Sequence, residues 1–171
     1  MSIEADFLSF SADKLAQFSA RVETCLDKLT SDQIWSRHGE NENAIGNLVL
    51  HLTGNVRQWI LAGVGGEPDH RIREREFSAR GGSSPEELKK NLRTTVDAAI
   101  AVIRSLPSER MAERVTIQNY SGTVLEAIYH VVEHFSGHTG QIIFVTKLLT
   151  GEGLGFYAHL DKPQPHQEKT P

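Results

Sequence analysis

Apolar residues along this chain recur mainly at three- and four-residue steps, the period of one helix face. Over 3–29, Leu8, Leu15, Phe18, Val22, Leu26 and Leu29 keep that period and predict a first long helix. Cys25 falls near the stripe with no basic residue beside it, and it reads as a buried, inert thiol. Thr30-Ser31-Asp32-Gln33 has the form of a capping box, which predicts a short helical turn through Trp35.

A second helix is predicted over about 44–62, with Asn43 as its N-cap and Gly63, Gly65 and Gly66 ending it. A third runs over 84–106. Ser84 caps it, Pro85 takes the first turn, Glu87 completes a capping box, and Pro107 stops it. The fourth spans 123–150, opening on Thr123 with Glu126 three residues later and stopping before Gly151. Between the third and fourth, 114–118 is β-prone but short and reads as an extended connection. Four long helices predict an all-α fold, an antiparallel four-helix bundle.

The connection over 63–83 exceeds the usual bundle connection of about 2–8 residues. It carries Arg71, Arg73, Glu74, Arg75 and Glu76, and reads either as a solvated surface loop or as a lid or cross-over at the bundle end. The domain is expected to occupy 1–157, with 158–171 a poorly ordered proline-containing tail.

Composition narrows the function classes. At 171 residues the chain fits one domain. Eighteen Lys and Arg against 22 Asp and Glu give a net charge of −4, which argues against a nucleic-acid binder. A hydrophobic content of 39% excludes a wholly disordered chain. No apolar run approaches the roughly 20 residues of a membrane span. The acidic start MSIEADFLSF lacks the features of a signal peptide. One cysteine allows neither an internal disulfide nor a cysteine zinc cage, and a cytoplasmic location is the expectation.

Eight histidines are the unusual number. The fourth predicted helix contains His130, His134 and His138. Residues four apart on a helix are displaced by only about 40° and lie one turn apart, so two imidazoles at that spacing can bind one metal. Val124, Ala127, Ile128, Val131, Phe135, Ile142, Val145 and Leu149 define the core stripe. His138 falls inside it, His134 at its edge, and His130 farther out on the flank. The pair His134 and His138 is therefore the better chelate, with His130 a boundary or outer-shell residue. Gln141 projects in nearly the direction of His134 and could hydrogen-bond to a ligand or bound water. Glu133 projects about 100° away from His134 and is no general base for this site.

A third ligand has to come from elsewhere. His51 sits among Leu48, Leu50 and Leu52 in the second helix, and a buried imidazole needs its nitrogens satisfied. Asn55, one turn on, is a candidate outer-shell residue, while His38, His70, His159 and His166 read as solvent histidines. Three imidazole ligands leave a coordination position open, which favours a catalytic or ligand-binding site. Zinc, nickel or another divalent first-row metal fits such donors.

The stretch H-L-T-G-N at 51–55, together with H-T-G-Q at 138–141 and His134 one turn before it, resembles the DinB-like superfamily over about residues 3–150. The resemblance implies an up-down-down-up four-helix bundle, often a homodimer, with a divalent metal on His51, His134 and His138. It also implies chemistry of the metal-dependent hydrolase or thiol S-transferase kind on a small molecule, with a low-molecular-weight thiol as one partner. Binding of nucleic acid or membrane is not expected. The enzyme reading needs a metal-held thiolate or hydroxide, with Arg71, Arg73 or Arg75 recognising acidic groups. Its alternatives are a non-catalytic metal or small-ligand binder in a stress response, and a structural bundle whose histidines are ordinary polar core residues.

Overall fold

A computed structural model describes residues 2–158 and 160 of the chain. The first apolar stripe forms α1, Ile3–Leu26. It ends before Leu29 because the last turn tightens. Lys28 N–H donates to Cys25 O and Leu29 N–H to Leu26 O, which brings Leu29 into the core without continuing the helix. The capping box at Thr30 and Gln33 is present and opens α2, Ser31–Trp35.

The second long helix, α3, is Ile45–Val56, and its N-cap is Ala44 rather than Asn43. Asn47 displaces Asn43 from that role, because its side-chain oxygen accepts from Ala44 N–H at 3.1 Å. The same fully buried amide donates to the carbonyls of Glu76, at 2.8 Å, and Ala79, at 3.0 Å, tying the start of α3 to a distant segment. The chain continues as a π-helical segment, Arg57–Val64, whose wider turns carry Trp59.

The connection over 63–83 is not a featureless loop. It contains α4, Arg73–Ser78, which packs on α3 with Glu76 buried beneath it. The third long helix, α5, Pro85–Ser105, keeps its predicted box of Ser84 and Glu87. After a short 3₁₀ turn, Ser108–Ala112, two strands replace the expected extended connection. These are β1, Arg114–Ile117, and β2, Tyr120–Thr123, paired antiparallel with Ile117 opposite Tyr120. Gln118 and Asn119 both take positive φ, 52° and 66°, as a tight two-residue hairpin requires.

The last helix, α6, is Val124–Thr150, closed by Gly151 in the left-handed conformation. The fold is thus mostly helical with one small hairpin. α1 packs on α5 and α6, and α3 packs on the same two helices. Phe135, Leu15, Leu52, Leu92, Ile128 and Ile142 lie fully buried between them. Cys25 is buried as well, and burial pushes its thiol up, so it is not a poised thiolate. No helix among the described residues is long and apolar enough to cross a membrane. The expected tail, with His159 and His166, lies outside the described residues, apart from Ala158 and Leu160.

Candidate metal centre

α3 and α6 pack face to face, which brings the middle of one against the middle of the other. His51 points from α3 at His134 and His138, one turn apart on α6. Each offers one ring nitrogen, and the three nitrogens lie within 4.8 Å of one another. The closest approach is His51 Nε2 to His134 Nε2, 2.8 Å. His51 is buried, and His134 and His138 are half-buried.

The protonation of these rings follows from their outer partners. Glu76, from α4, places Oε2 at 2.9 Å from His51 Nδ1. Arg71 grips the same carboxylate from the other side, Nε to Oε1 at 2.7 Å and Nη2 to Oε2 at 2.8 Å. Burial pushes the Glu76 carboxyl up, but hydrogen bonds and charge from Arg71 and His51 outweigh it and hold it below the usual range. Glu76 is therefore an ionised acceptor for a hydrogen on His51 Nδ1, which leaves Nε2 to face the cluster. Arg71 Nη2 also stands 3.1 Å from Nδ1, and with both nitrogens being donors in that tautomer the carboxylate between them is what holds the group together. His138 Nδ1 donates to Gln141 Oε1 at 2.7 Å, which leaves its Nε2 free in the same way. Burial, with the positive charge of the neighbouring rings and of Arg71, drives His134 to about 3. Burial also lowers His138.

His134 and His138 are accordingly neutral near pH 7, and His51 and His138, each held through Nδ1, turn Nε2 toward the cluster. Facing lone pairs repel unless a proton or a cation lies between them. Neutral imidazoles with outer-ring hydrogen bonds are the donor set that divalent zinc or nickel takes, and a tetrahedral zinc site with bonds of about 2.0–2.1 Å spaces its nitrogens by about 3.3 Å. The residues present could hold a metal ion.

Other residues singled out in the sequence stand as follows. Gln141 reaches His138, as just described. Asn55 is buried but forms no hydrogen bond to the three rings, and its Oδ1 has no partner among the described residues. His130 is half-buried against Trp59, with ring centroids 4.3 Å apart, and stacks beside His134 at 5.5 Å. It stands at the boundary of the site, as one of its walls. Glu133, His38 and His70 are exposed. Arg71 does not await an acidic ligand, because its side chain is 3% exposed and committed to Glu76 and Gln58.

Sequence reasoning missed Glu76, which arrives from an aperiodic segment. One signal was available in Gly54. A glycine inside a helix costs roughly 1 kcal/mol against alanine, so it marks a close approach. A Cβ at Gly54 would collide with Glu76 Oε1 and Arg71 Nε.

Two cavities flank the cluster. One of about 240 Å³ is lined by His51, His134, Asn55, Trp59, Arg73 and Tyr120, among others. The other, about 490 Å³, lies on the His138 side with Gln141, Leu48, Phe144 and Leu148.

The model of a family described as "Protein of unknown function (DUF1572)" matches residues 2–157. No curated protein matches the chain. Among solved structures it is similar to a conserved protein from Enterococcus faecalis, with 15% identity and a TM-score of 0.71 over 89% of this chain and 99% of that one. A DinB-like protein from Bacillus subtilis, YjoA, gives 14% and 0.66 over 86% and 96%. A DinB-like protein from Bacillus cereus gives 14% and 0.64 over 80% and 88%. At these identities the likeness speaks to the fold.

Proposed function

The chain belongs to the DUF1572 family, a DinB-like family, and from that premise we propose that it is a divalent-metal enzyme acting on a small molecule by thiol S-transfer or hydrolysis. The observation that carries this reading is the convergence of His51, His134 and His138 from two helices. In it these three imidazoles hold the metal, zinc or nickel by donor type, and Gln141 orients His138. When bound, such an ion acidifies a thiol or water and holds the resulting anion as nucleophile.

The chain's own residues do the rest. Glu76 keeps the His51 proton on Nδ1, and Arg71 keeps Glu76 ionised. Trp59 and His130 form an aromatic wall that limits water beside His134. The two flanking cavities favour transfer over hydrolysis, since transfer has two organic substrates to seat.

The finer architecture we read as up-down-down-up, which the packing of α1 and α3 on the same two helices supports. We also read the chain as a homodimer. The outer face of α6 exposes Leu125, Tyr129, Phe144 and Leu148 at 40%, 59%, 63% and 68%. They are disposed evenly about the step from Ser136 to Gly137, so an antiparallel copy would set Tyr129 against Phe144 and Leu125 against Leu148. A single buried, unpaired cysteine suits a reducing cytoplasm.

The test is consumption of a low-molecular-weight thiol with a haloalkyl electrophile, alongside ester hydrolysis without thiol, with and without zinc or nickel. We expect metal-dependent turnover that His134→Ala abolishes. Turnover unchanged by that substitution would remove the metal from the mechanism. Stoichiometric metal with silence in both assays would favour a non-catalytic metal binder.

A further inference from the structure

The side-chain amide of Gln58 joins the long connection to the hairpin, close behind the imidazole cluster. Gln58 is buried near the start of the π-helical segment, a turn that recurs at functional positions. Its Oε1 accepts from Arg71 Nη1 at 2.9 Å and from Gln118 Nε2, which occupies both lone pairs. Its Nε2 donates to Asp69 Oδ2 at 2.6 Å. That hydrogen bond, followed by one from the Arg71 backbone N–H, holds the Asp69 carboxyl below its usual range, so it is ionised. A cation on the oxygen side and a carboxylate on the nitrogen side fix which way the amide points.

Arg71 is the residue this arrangement immobilises. Its Nη1 goes to Gln58 and its Nε and Nη2 to Glu76, while its backbone N–H donates to Asp69 Oδ1 at 3.0 Å. Asp69 therefore braces Gln58 and Arg71 at once. A continuous hydrogen-bonded path runs from Gln118 through Gln58, Arg71 and Glu76 to His51. At its outer end Gln118 holds φ at 52°, a left-handed conformation that Gly, Asn or Asp takes with less strain than Gln. Such a residue persists where its surroundings hold it, and here the bond to Gln58 does so. Two residues on, Tyr120 lines the cavity beside His51 and His134, so the same amide registers that wall to the cluster.

We propose that Gln58 is a positioning residue for the imidazole cluster. It holds Arg71 on Glu76, and through that pair it fixes the ring of His51, with Gln118 locking it from the hairpin. Its own hydrogen bonds go to Arg71, Gln118 and Asp69 and not to the rings, so it acts through Arg71. As a statement about metal affinity this rests on the metal-enzyme reading above. The tie from Gln58 to Arg71 and Glu76 does not require the metal.

The test compares Gln58→Met, which keeps the length of the side chain and loses the amide, with Gln118→Gly, which removes the outer donor and relaxes the turn. Asn119→Gly relaxes the same turn one residue on and is the control. In metal-free protein, solvent exchange of the Arg71 Nε–H is followed by proton–nitrogen correlation. Zinc affinity is measured by calorimetric titration well below the melting temperature. Gln58→Met should speed the exchange and weaken zinc binding by about tenfold. Gln118→Gly should act in the same direction by about threefold, with an unchanged or raised melting temperature. Asn119→Gly should change neither exchange nor affinity. In a Glu76→Gln background, Gln58→Met should weaken zinc binding by less than about threefold, because the charge that Arg71 is held against is gone. Wild-type zinc affinity in both variants, equal effects of Gln118→Gly and Asn119→Gly, or an undiminished effect in the Glu76→Gln background would each overturn the assignment and leave the metal reading intact. Unchanged Arg71 exchange overturns it whether or not zinc binds. Faster exchange in both variants, with no zinc uptake by any form, sinks the metal reading and leaves the tie to Arg71 standing.

Discussion

Glu76 Oε2 stands 2.9 Å from His51 Nδ1, and both side chains are nearly sealed from solvent. The pair joins a short helix in the long connection to the middle of α3. It decides which nitrogen of His51 is bare. Removing the carboxylate should therefore affect ligation as well as packing. Glu76→Ala is expected to weaken zinc binding by about 10–100-fold, with Glu76→Gln intermediate because it keeps an acceptor but loses the charge. Calorimetric titration with zinc checks this. Leaving the Arg71 side chain buried and unpaired should also cost about 3 kcal/mol of stability, read from denaturant unfolding.

Gly54 provides the room in which that pair sits. Gly54→Ala directs a methyl group at Glu76 and Arg71, both buried and neither able to swing into solvent. Overpacking of this kind costs about 1–3 kcal/mol. The melting temperature should fall despite the better helix propensity of alanine, and a rise would show that the two side chains yield easily.

Acid should destabilise the metal-free protein earlier than its carboxylates alone would dictate. The folded-state value of His134 is about 3 against 6.5 for a free imidazole, and burial lowers His130 and His138 as well. A depressed value means that the unfolded chain binds more protons below 6.5. Stability is then fully present above that pH and is lost as pH falls toward the folded value. For His134 the slope is at most about 1.4 kcal/mol per pH unit, and partial exposure to solvent reduces it. Thermal melts between pH 7 and 5 should slope downward toward acid, and His134→Gln should flatten the slope.

The exposed face of α6 predicts a self-association contact. Phe144→Lys sets a charge against the apolar face at Tyr129 of the second copy, once on each side of the symmetry axis, so it should convert a dimer to a monomer by light scattering without lowering metal content. A wild-type chain that is monomeric at high concentration would remove the dimer.

Much of this architecture is legible from the chain because its rules are local. The boxes at Thr30, Ser84 and Thr123 form as written, and the i, i+4 spacing puts His134 and His138 on one face. The failures are tertiary. Asn47 caps α3 because it is also needed by the Glu76 and Ala79 carbonyls, a demand no neighbour in sequence reveals. The hairpin at 117–120 turns on Gln118 and Asn119, without the glycine that usually announces such a turn. Arg71 looks like a solvated cation in an arginine run and is instead consumed by a carboxylate five residues on. Trp59 and His130 meet only because the π-helical segment and α6 pack together.

The central claim is that imidazoles of two helices share one ion. Anomalous diffraction at the zinc or nickel edge from metal-loaded crystals tests it most directly. The account predicts a single full-occupancy peak within bonding distance, about 2.1 Å, of Nε2 of His51, His134 and His138. No peak between these rings, or a metal bound elsewhere on the chain, would contradict it.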